Sequence, residues 1–218
     1  MKLHRVKRKK TDTYLEKELW WDQELQIQTV GRDDTMEDIY HHPYEPTPYC
    51  VLERLADSGY IGSEDTMVDY GCGKGRVGCF LHRQLGCDSI GVEFDESIWR
   101  QAQENARMIG RVDDLSKQAK GLSFVCTDAA VYEVSCGDRF YFFNPFSVEV
   151  LRSVLGRILA SYYEDPREIR LFFYYPDDAY VAQLMTQSEL IFVDEIDCRD
   201  LFDRNDDREK ILVFEVCA

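Results

Sequence analysis

A loop with three glycines in five residues is the part of this sequence that most directly indicates chemistry. Residues 69–75 read Asp-Tyr-Gly-Cys-Gly-Lys-Gly and lie between a short apolar run and a segment with helical periodicity. Glycine adopts positive φ and lets the backbone approach a ligand closely, while the first turn of a helix presents free N–H groups. The loop therefore predicts a small-molecule cofactor site where a strand ends and a helix begins.

The order of this loop, acid-x-Gly-x-Gly-x-Gly, narrows the type of cofactor. The dinucleotide fingerprint G-x-G-x-x-G fails, because Arg76 stands at its last position when the count starts at Gly71 and Gly73. A phosphate-binding P-loop is excluded as well, because no Gly-Lys-Ser/Thr follows at the required spacing. The same residues could form an ordinary strand end and turn, although a turn needs only one or two glycines.

A second polar turn follows another apolar run, at residues 141–147, which read Tyr-Phe-Phe-Asn-Pro-Phe-Ser. The carboxyl ends of parallel strands face the ligand crevice of such a sheet, so Asn144 is expected beside the reacting group. Asn-Pro is also a common turn and Ser147 is a good helix cap, so a structural role for this segment stays open.

The elements that must position these two turns alternate between strands and helices. This alternation predicts a parallel sheet with right-handed crossovers. Only a polar connector joins the last two strands, which predicts an antiparallel pair at one edge. The predicted strands span residues 66–70, 89–94, 122–127, 139–144, 169–175, 190–196 and 210–216.

The predicted helices begin and end at typical capping residues. Thr47 is expected to cap a helix with Pro48 at its first position, and this helix should end near Gly59 or Gly62. The other helices are predicted at 76–85, from 95 or 97 to 108 with Gly110 as the stop, at 147–163 and at 177–186.

The glycine loop resembles motif I of the class I S-adenosylmethionine-dependent methyltransferases, and the resemblance extends over roughly residues 47–218. It implies a Rossmann-like, doubly wound α/β fold whose seven-stranded sheet is mostly parallel with an antiparallel last strand. It also implies S-adenosylmethionine as the cofactor, and no metal. The cofactor-binding residues that it implies are Asp69, Gly71, Gly73 and Gly75 in the loop, Glu93 at the ribose hydroxyls, Phe94 on the adenine, and Asp128 with Ala129 at the adenine amino group.

The second turn resembles motif IV of the amino-methyltransferases, Asn-Pro-Pro-aromatic. The resemblance implies that the Asn144 oxygen and the Pro145 carbonyl accept hydrogens from a planar amine. Phe146 stands in place of the second proline, and Ser147 holds the aromatic position. Upstream, Thr47 and the following proline resemble a segment of adenine-specific DNA methyltransferases that touches the methionine end of the cofactor, although prolines also fix an extended lead into a helix.

The charge of the chain bears on the acceptor. Six of the 26 Lys and Arg residues fall within the first ten positions, which hold no acid, so the remaining residues carry 20 cations against 41 acids. A body this acidic repels a phosphate backbone, so a nucleic-acid partner is disfavoured. The basic tail could bind an acidic partner or could simply be a solubilising end.

Length, hydropathy and cysteine pattern bound the remaining possibilities. The 218 residues describe one domain. No apolar stretch is long enough to span a membrane, no secretory signal is apparent, and the eight cysteines include no C-x-x-C pair. These features predict a cytoplasmic protein with unpaired thiols. Lys74 and Arg76 are expected to be solvated, because a methyl donor without phosphate gives them nothing to hold.

Together the observations predict a methyltransferase core at 47–218 preceded by an extension at 1–46. The aromatic-rich part of the extension, residues 20–44, could act as a lid over the acceptor or could pack into the core. The expected activity is methyl transfer to an amine of a small molecule or a protein. The alternatives are a nucleic-acid amino-methyltransferase and a non-catalytic module that binds the cofactor or a partner.

Overall fold

The computed structural model describes residues 10–31, 45–112, 121–134, 136–204 and 206–217. Most of the predicted basic tail and the second half of the aromatic-rich extension lie outside these ranges. Among the described residues, no helix combines the length and the apolar character that crossing a bilayer requires.

The described residues form seven strands, which are β1 Thr66–Tyr70, β2 Asp88–Glu93, β3 Leu122–Cys126, β4 Arg139–Phe142, β5 Arg170–Tyr174, β6 Leu190–Asp197 and β7 Lys210–Val216. They form one sheet in the order β3-β2-β1-β4-β5-β7-β6. The first five strands along the chain run parallel, whereas β7 lies antiparallel between β5 and β6. This topology confirms the predicted mostly parallel sheet with an antiparallel last strand.

The helices cover both faces of the sheet. Side chains alternate along each strand, so Tyr141 and Phe172 join the core beneath α2, α3 and α4, while Phe142 and Phe173 join the core beneath α5 and α6. The helices are α1 Lys10–Leu25, α2 Tyr49–Asp57, α3 Arg76–Leu85, α4 Glu96–Val112, α5 Val148–Glu164 and α6 Asp178–Thr186, and a 3₁₀ turn occupies Arg199–Leu201.

Three helix ends differ from the sequence prediction. Thr47 does not cap α2, because Pro48 holds the N-cap position and the Thr47 hydroxyl lies 3.0 Å from the Tyr141 hydroxyl instead. Helix α4 continues past Gly110 to Val112, since one glycine costs a helix only about 1 kcal/mol relative to alanine. Ser147 occupies the N-cap position of α5, but its side chain makes no capping hydrogen bond.

Candidate functional site

A cleft opens at the carboxyl ends of β1, β2, β3 and β4. Its open space, counted out to the mouth, is about 1040 Å³. Every predicted site residue except Gly75 lines it. The sheet therefore brings together residues that are 98 positions apart in the chain, from Thr47 to Pro145.

The glycine loop forms one wall of the cleft. Gly71, Gly73 and Gly75 have φ values of 71°, 55° and 82°, a left-handed conformation that favours glycine. A Cβ on Gly71 would lie 2.3 Å from the Pro145 Cβ, and a Cβ on Gly75 would lie 2.4 Å from the Phe124 ring. Gly75 thus packs against β3 and begins α3, while Gly71 allows the two predicted turns to touch.

Glu93, at the end of β2, holds this loop in place. Its carboxylate accepts hydrogen bonds of 2.9 Å from the Gly73 and Asp95 backbone N–H groups. Burial raises the pKa of Glu93, and the bonds from the backbone N–H groups act in the opposite direction. Each oxygen keeps a further lone pair for a ligand hydroxyl, so the residue can hold the loop and a diol together.

Asp69, at the end of β1, lies at the floor of the cleft and is 2% exposed. Its Oδ2 has no hydrogen-bond partner among the described residues. Burial, and then the charge of Glu93, raises the pKa of Asp69 to about 8. A cationic or hydroxyl group of a ligand would satisfy this carboxyl group, so the floor of the cleft favours a ligand with such a group.

The remaining predicted cofactor residues lie on the opposite wall. The Phe94 ring is 47% exposed and offers a face for a planar ligand. One carboxylate oxygen of Asp128 accepts a 2.8 Å bond from the Ala130 N–H, and Ala129 is buried beside it. This wall combines an apolar ring with a hydrogen-bond acceptor, as recognition of a base requires.

Asn144 faces the turn that follows β5. Its φ is 40°, its Nδ2 donates a 2.6 Å bond to the Tyr175 carbonyl, and its Oδ1 accepts a long 3.4 Å bond from the Asp177 N–H. Tyr175 is itself left-handed, with φ of 51°. Two non-glycine residues in this conformation, bonded to each other beside a cleft, are a typical feature of functional sites.

Phe146 lies mostly within the core beneath α5. It is 3% exposed, its ring packs edge-to-face against Tyr70 and Phe142, and its carbonyl accepts a 2.7 Å bond from the Tyr180 hydroxyl. Only the margin of this residue borders the cleft, while Pro145 packs against the glycine loop.

Arg76 is a lining residue for which the sequence prediction was wrong. It was expected to be solvated but is 2% exposed and pairs with Glu18 of α1, and Lys74 is half-buried. The sequence offers little signal, because α1 holds acids at positions 12, 16, 18, 22 and 24, and among the described side chains only Glu18 and Asp22 pair with Arg76. Local sequence does not identify Glu18 as the buried partner of Arg76, because the two lie 58 positions apart in the chain.

The cleft as a whole is acidic. Of the described residues that line it, Arg76 is the one cation, and it is already paired with acids of α1. Opposing it are the carboxyl groups of Glu45, Asp69, Glu93, Asp95 and Asp128. No group of described residues has the composition of a metal site.

Comparison with known proteins finds no matching family model. A protein-lysine N-methyltransferase of Saccharolobus islandicus is 30% identical over 76 residues, which are 34% of this chain and 47% of that protein. A geranyl diphosphate 2-C-methyltransferase of Streptomyces ambofaciens is 28% identical over 122 residues, 44% of this chain and 41% of that protein. The matches thus span less than half the length of these curated relatives.

Solved structures match over much more of the chain. A TehB-like S-adenosylmethionine-dependent methyltransferase of Corynebacterium glutamicum has a TM-score of 0.55 at 15% identity and covers 96% of this chain and 100% of its own. An RNA methyltransferase of Salinibacter ruber, in complex with S-adenosyl-L-homocysteine, has a TM-score of 0.51 at 17% identity and covers 79% and 94%. Strand order and these solved structures show that the chain has a Rossmann-like fold similar to that of S-adenosylmethionine-dependent methyltransferases.

Proposed function

We propose that the chain binds S-adenosylmethionine in the cleft and transfers its methyl group to an amine of a small molecule or a protein. The observation that carries the proposal is the meeting of the glycine loop, Asp69 and Glu93 at one end of the cleft with Asn144 and Pro145 at the other. The methyltransferase names of the curated and structural relatives support it.

In this proposal different residues of the cleft bind the ribose, the adenine and the methionine end of the donor. Glu93 accepts the ribose hydroxyls through lone pairs that its bonds to the backbone do not use. Phe94, Asp128 and Ala129 hold the adenine, while the backbone of Gly71 and Gly73 approaches the methionine end together with Thr47. Gly75 acts indirectly, by placing the first turn of α3.

The chemistry requires little more than positioning. S-adenosylmethionine supplies an activated methyl group, whose bond to sulfur breaks as the bond to the acceptor nitrogen forms. Asn144 and the Pro145 carbonyl orient a neutral amine so that its nitrogen lies roughly 3 to 3.5 Å from the methyl carbon. Pro145 and Phe146 exclude water from the methyl group. The amine loses its extra proton to solvent before it attacks, and the product leaves as the methylated ammonium, so no general base is needed.

The charge of the cleft favours an amine as the acceptor. Acidic groups predominate in its lining, and its one cation among the described residues, Arg76, is already paired, so the cleft attracts a group that is cationic before it binds and disfavours phosphate. The relative named as a protein-lysine N-methyltransferase acts on an amine, whereas the geranyl diphosphate 2-C-methyltransferase methylates carbon. The acceptor assignment therefore rests on the cleft rather than on the relatives.

A nucleic-acid amino group is the second candidate. The Asn-Pro-Phe turn, the basic tail and the likeness to an RNA methyltransferase favour it, and the acidic cleft opposes it. Incubation with radiolabelled donor and either total protein or total RNA of a cell extract separates the two. Label in protein or in small amines supports the proposal, label in RNA overturns the acceptor assignment, and no transfer despite tight donor binding indicates a non-catalytic module.

The cellular compartment and the division of the chain complete the proposal. We place the chain in the cytoplasm, which agrees with eight cysteines that form no disulfide. We also divide it into an extension at 1–46 and a core at 47–218, and we place helix α1 of the extension near the acceptor side. The placement near the acceptor side is supported by Tyr14 of α1, whose ring centroid lies 6.5 Å from that of Phe202 in the β6–β7 connector.

Calorimetric titration with S-adenosylmethionine tests the donor site. We expect Gly73→Arg to abolish binding, because a long side chain would enter the cleft, and Glu93→Ala to weaken it at least about tenfold through the lost ribose bonds. Gly156→Arg and Glu104→Ala are matched controls at exposed positions on α5 and α4. Absence of binding by the unaltered chain, or equal binding by the Gly73 and Glu93 variants, would overturn the proposal.

A further inference from the structure

Arg76 is the most thoroughly enclosed cation among the described residues. Its guanidinium pairs with Glu18 and donates a 3.0 Å bond to the Thr47 carbonyl, while its Nε donates a 2.7 Å bond to the Thr29 hydroxyl. Its carbon Cζ lies 4.2 Å from the centroid of the Tyr49 ring. Its Nη2 makes no hydrogen bond to the described residues and lies 3.8 Å from the Asp22 carboxylate. Burying an arginine this completely is costly, so the bonds that it does make are expected to hold its neighbours in place.

These partners come from separate segments of the chain. Glu18 belongs to α1, Thr29 to the stretch that follows α1, and Thr47 to the segment that leads into α2 and lines the cleft. Arg76 itself is the first residue of α3 and follows Gly75 directly. The side chain therefore joins the N-terminal segment to the start of the helix that carries the glycine loop.

Asn105 of α4 makes a second connection on the other side of Gly75. Its Oδ1 accepts a 3.0 Å bond from the Gln28 N–H, and its Nδ2 donates a 2.8 Å bond to the Lys74 carbonyl. The stretch after α1 thus reaches the glycine loop at Lys74 as well as at Arg76. Both flanks of Gly75 depend on residues that precede position 31.

We propose that Arg76 is a positioning residue for the cofactor loop, and that through it residues 14–30 set the affinity for the methyl donor. The inference rests on the proposed function. Arg76 acts without touching the donor: it holds the first turn of α3 against α1 and draws the Thr47 carbonyl to the same point, which fixes two walls of the cleft. The N-terminal segment is then part of the donor site, in addition to any role beside the acceptor.

The test compares three variants of the full chain. Arg76→Lys keeps the charge, but lysine carries all of its N–H donors on one nitrogen, which cannot reach Glu18, Thr29 and Thr47 together. Thr29→Ala removes one partner with little loss of volume and serves where Arg76→Lys folds poorly. Lys17→Gln is the matched control, since it breaks an exposed α1 ion pair, with Glu53, that does not reach the cleft.

Two measurements separate this inference from the proposed function. Amide hydrogen exchange of residues 71–77 without any donor reports on the loop itself, and calorimetry with S-adenosylmethionine, on variants shown to be folded by circular dichroism, reports on affinity. We expect Arg76→Lys to speed exchange and raise the Kd by about tenfold or more, Thr29→Ala to change each about threefold, and Lys17→Gln to leave both within twofold.

Unchanged exchange and unchanged Kd in folded Arg76→Lys and Thr29→Ala variants would overturn the inference, because the network would then serve stability alone. Faster exchange of residues 71–77 with unchanged donor affinity would also overturn it. If the unaltered chain fails to bind the donor, the proposed function fails and the claim about affinity falls with it, while the exchange data still report whether Arg76 orders the loop.

Discussion

The two halves of the cleft are built in different ways. At the ends of β1 and β2 the main chain does most of the shaping: glycines adopt left-handed φ values, and backbone N–H groups bond to Glu93. At the ends of β4 and β5 a side chain shapes the cleft. Asn144 and Tyr175 both adopt left-handed φ values, and the Asn144 amide holds them there by its bond to the Tyr175 carbonyl. We call the first half, where we propose that the methyl donor binds, the donor half, and the second, where we propose that the acceptor binds, the acceptor half.

The acceptor half also depends on the β6–β7 connector. The Tyr175 hydroxyl donates a 2.5 Å bond to Asp206 and accepts one of 2.6 Å from Arg208, whose guanidinium lies 4.3 Å from the ring centroid. The buried Glu209 accepts a 2.7 Å bond from the Tyr174 hydroxyl. These side-chain bonds hold the turn after β5 in place against Asn144.

The largest effect is expected where the two halves touch. Gly71→Ala introduces a Cβ that would lie 2.3 Å from the Pro145 Cβ at a residue with φ of 71°. We expect it to lower the free energy of unfolding by about 3 kcal/mol and to weaken donor binding. Urea denaturation and calorimetry measure both quantities. Gly156→Ala, in exposed helix with no atom near the added Cβ, should instead gain about 0.5 to 1 kcal/mol; equal behaviour of the two variants would contradict the contact.

Asn144→Gly should affect methyl transfer, which we assign to the acceptor half, without affecting donor binding. Glycine tolerates the φ of 40° but removes the bonds to Tyr175 and Asp177, so donor binding should stay within about twofold while methyl transfer falls about 100-fold. Calorimetry with the donor and label transfer to cell-extract acceptors provide the two readouts. Loss of donor affinity in this variant would mean that the halves are not independent.

Asp69 predicts a pH dependence that belongs to the donor half. The folded-state pKa of Asp69 is raised to about 8, so the folded chain keeps this proton to a higher pH than the unfolded chain does. The stability that this group contributes is fully present below its unfolded-state pKa and is lost as the pH rises toward 8. Replacing it by Asn should flatten the decline in unfolding free energy between about pH 5 and 8 by at least about 1 kcal/mol. Urea denaturation across this range measures it, and an unchanged slope would show that other groups carry the decline.

The smallest effect is expected at the outer part of the acceptor half. Tyr175→Phe removes the hydroxyl bonds to Asp206 and Arg208 while keeping the ring, and should cost about 0.5 to 1.5 kcal/mol of stability without changing donor affinity. Thermal unfolding and calorimetry measure the two. Tyr163→Phe, at a residue that is 60% exposed, should change neither, and a similar loss there would point to a general effect of removing a hydroxyl.

Much of the donor half could be predicted from the sequence because its signals are local. The strand at 66–70, the glycine loop and the helix at 76–85 occupy consecutive positions, and glycine spacing limits the backbone directly. Alternation of strands and helices then leaves few topologies for the sheet. Thr47 shows the limit of such reasoning, since a good capping residue makes a tertiary bond to Tyr141 instead.

Sequence by itself determined the order of elements, the antiparallel last pair and the position of the glycine loop, because these depend on periodicity, chirality and short spacing. Tertiary structure alone decided the burial of Arg76 against Glu18, the contact of Gly71 with Pro145 and the orientation of the Asn144 amide toward Tyr175. Each of these joins residues that are at least 31 positions apart. Local propensity carries no information about such partners, which are set only when the sheet and its helices close around one core.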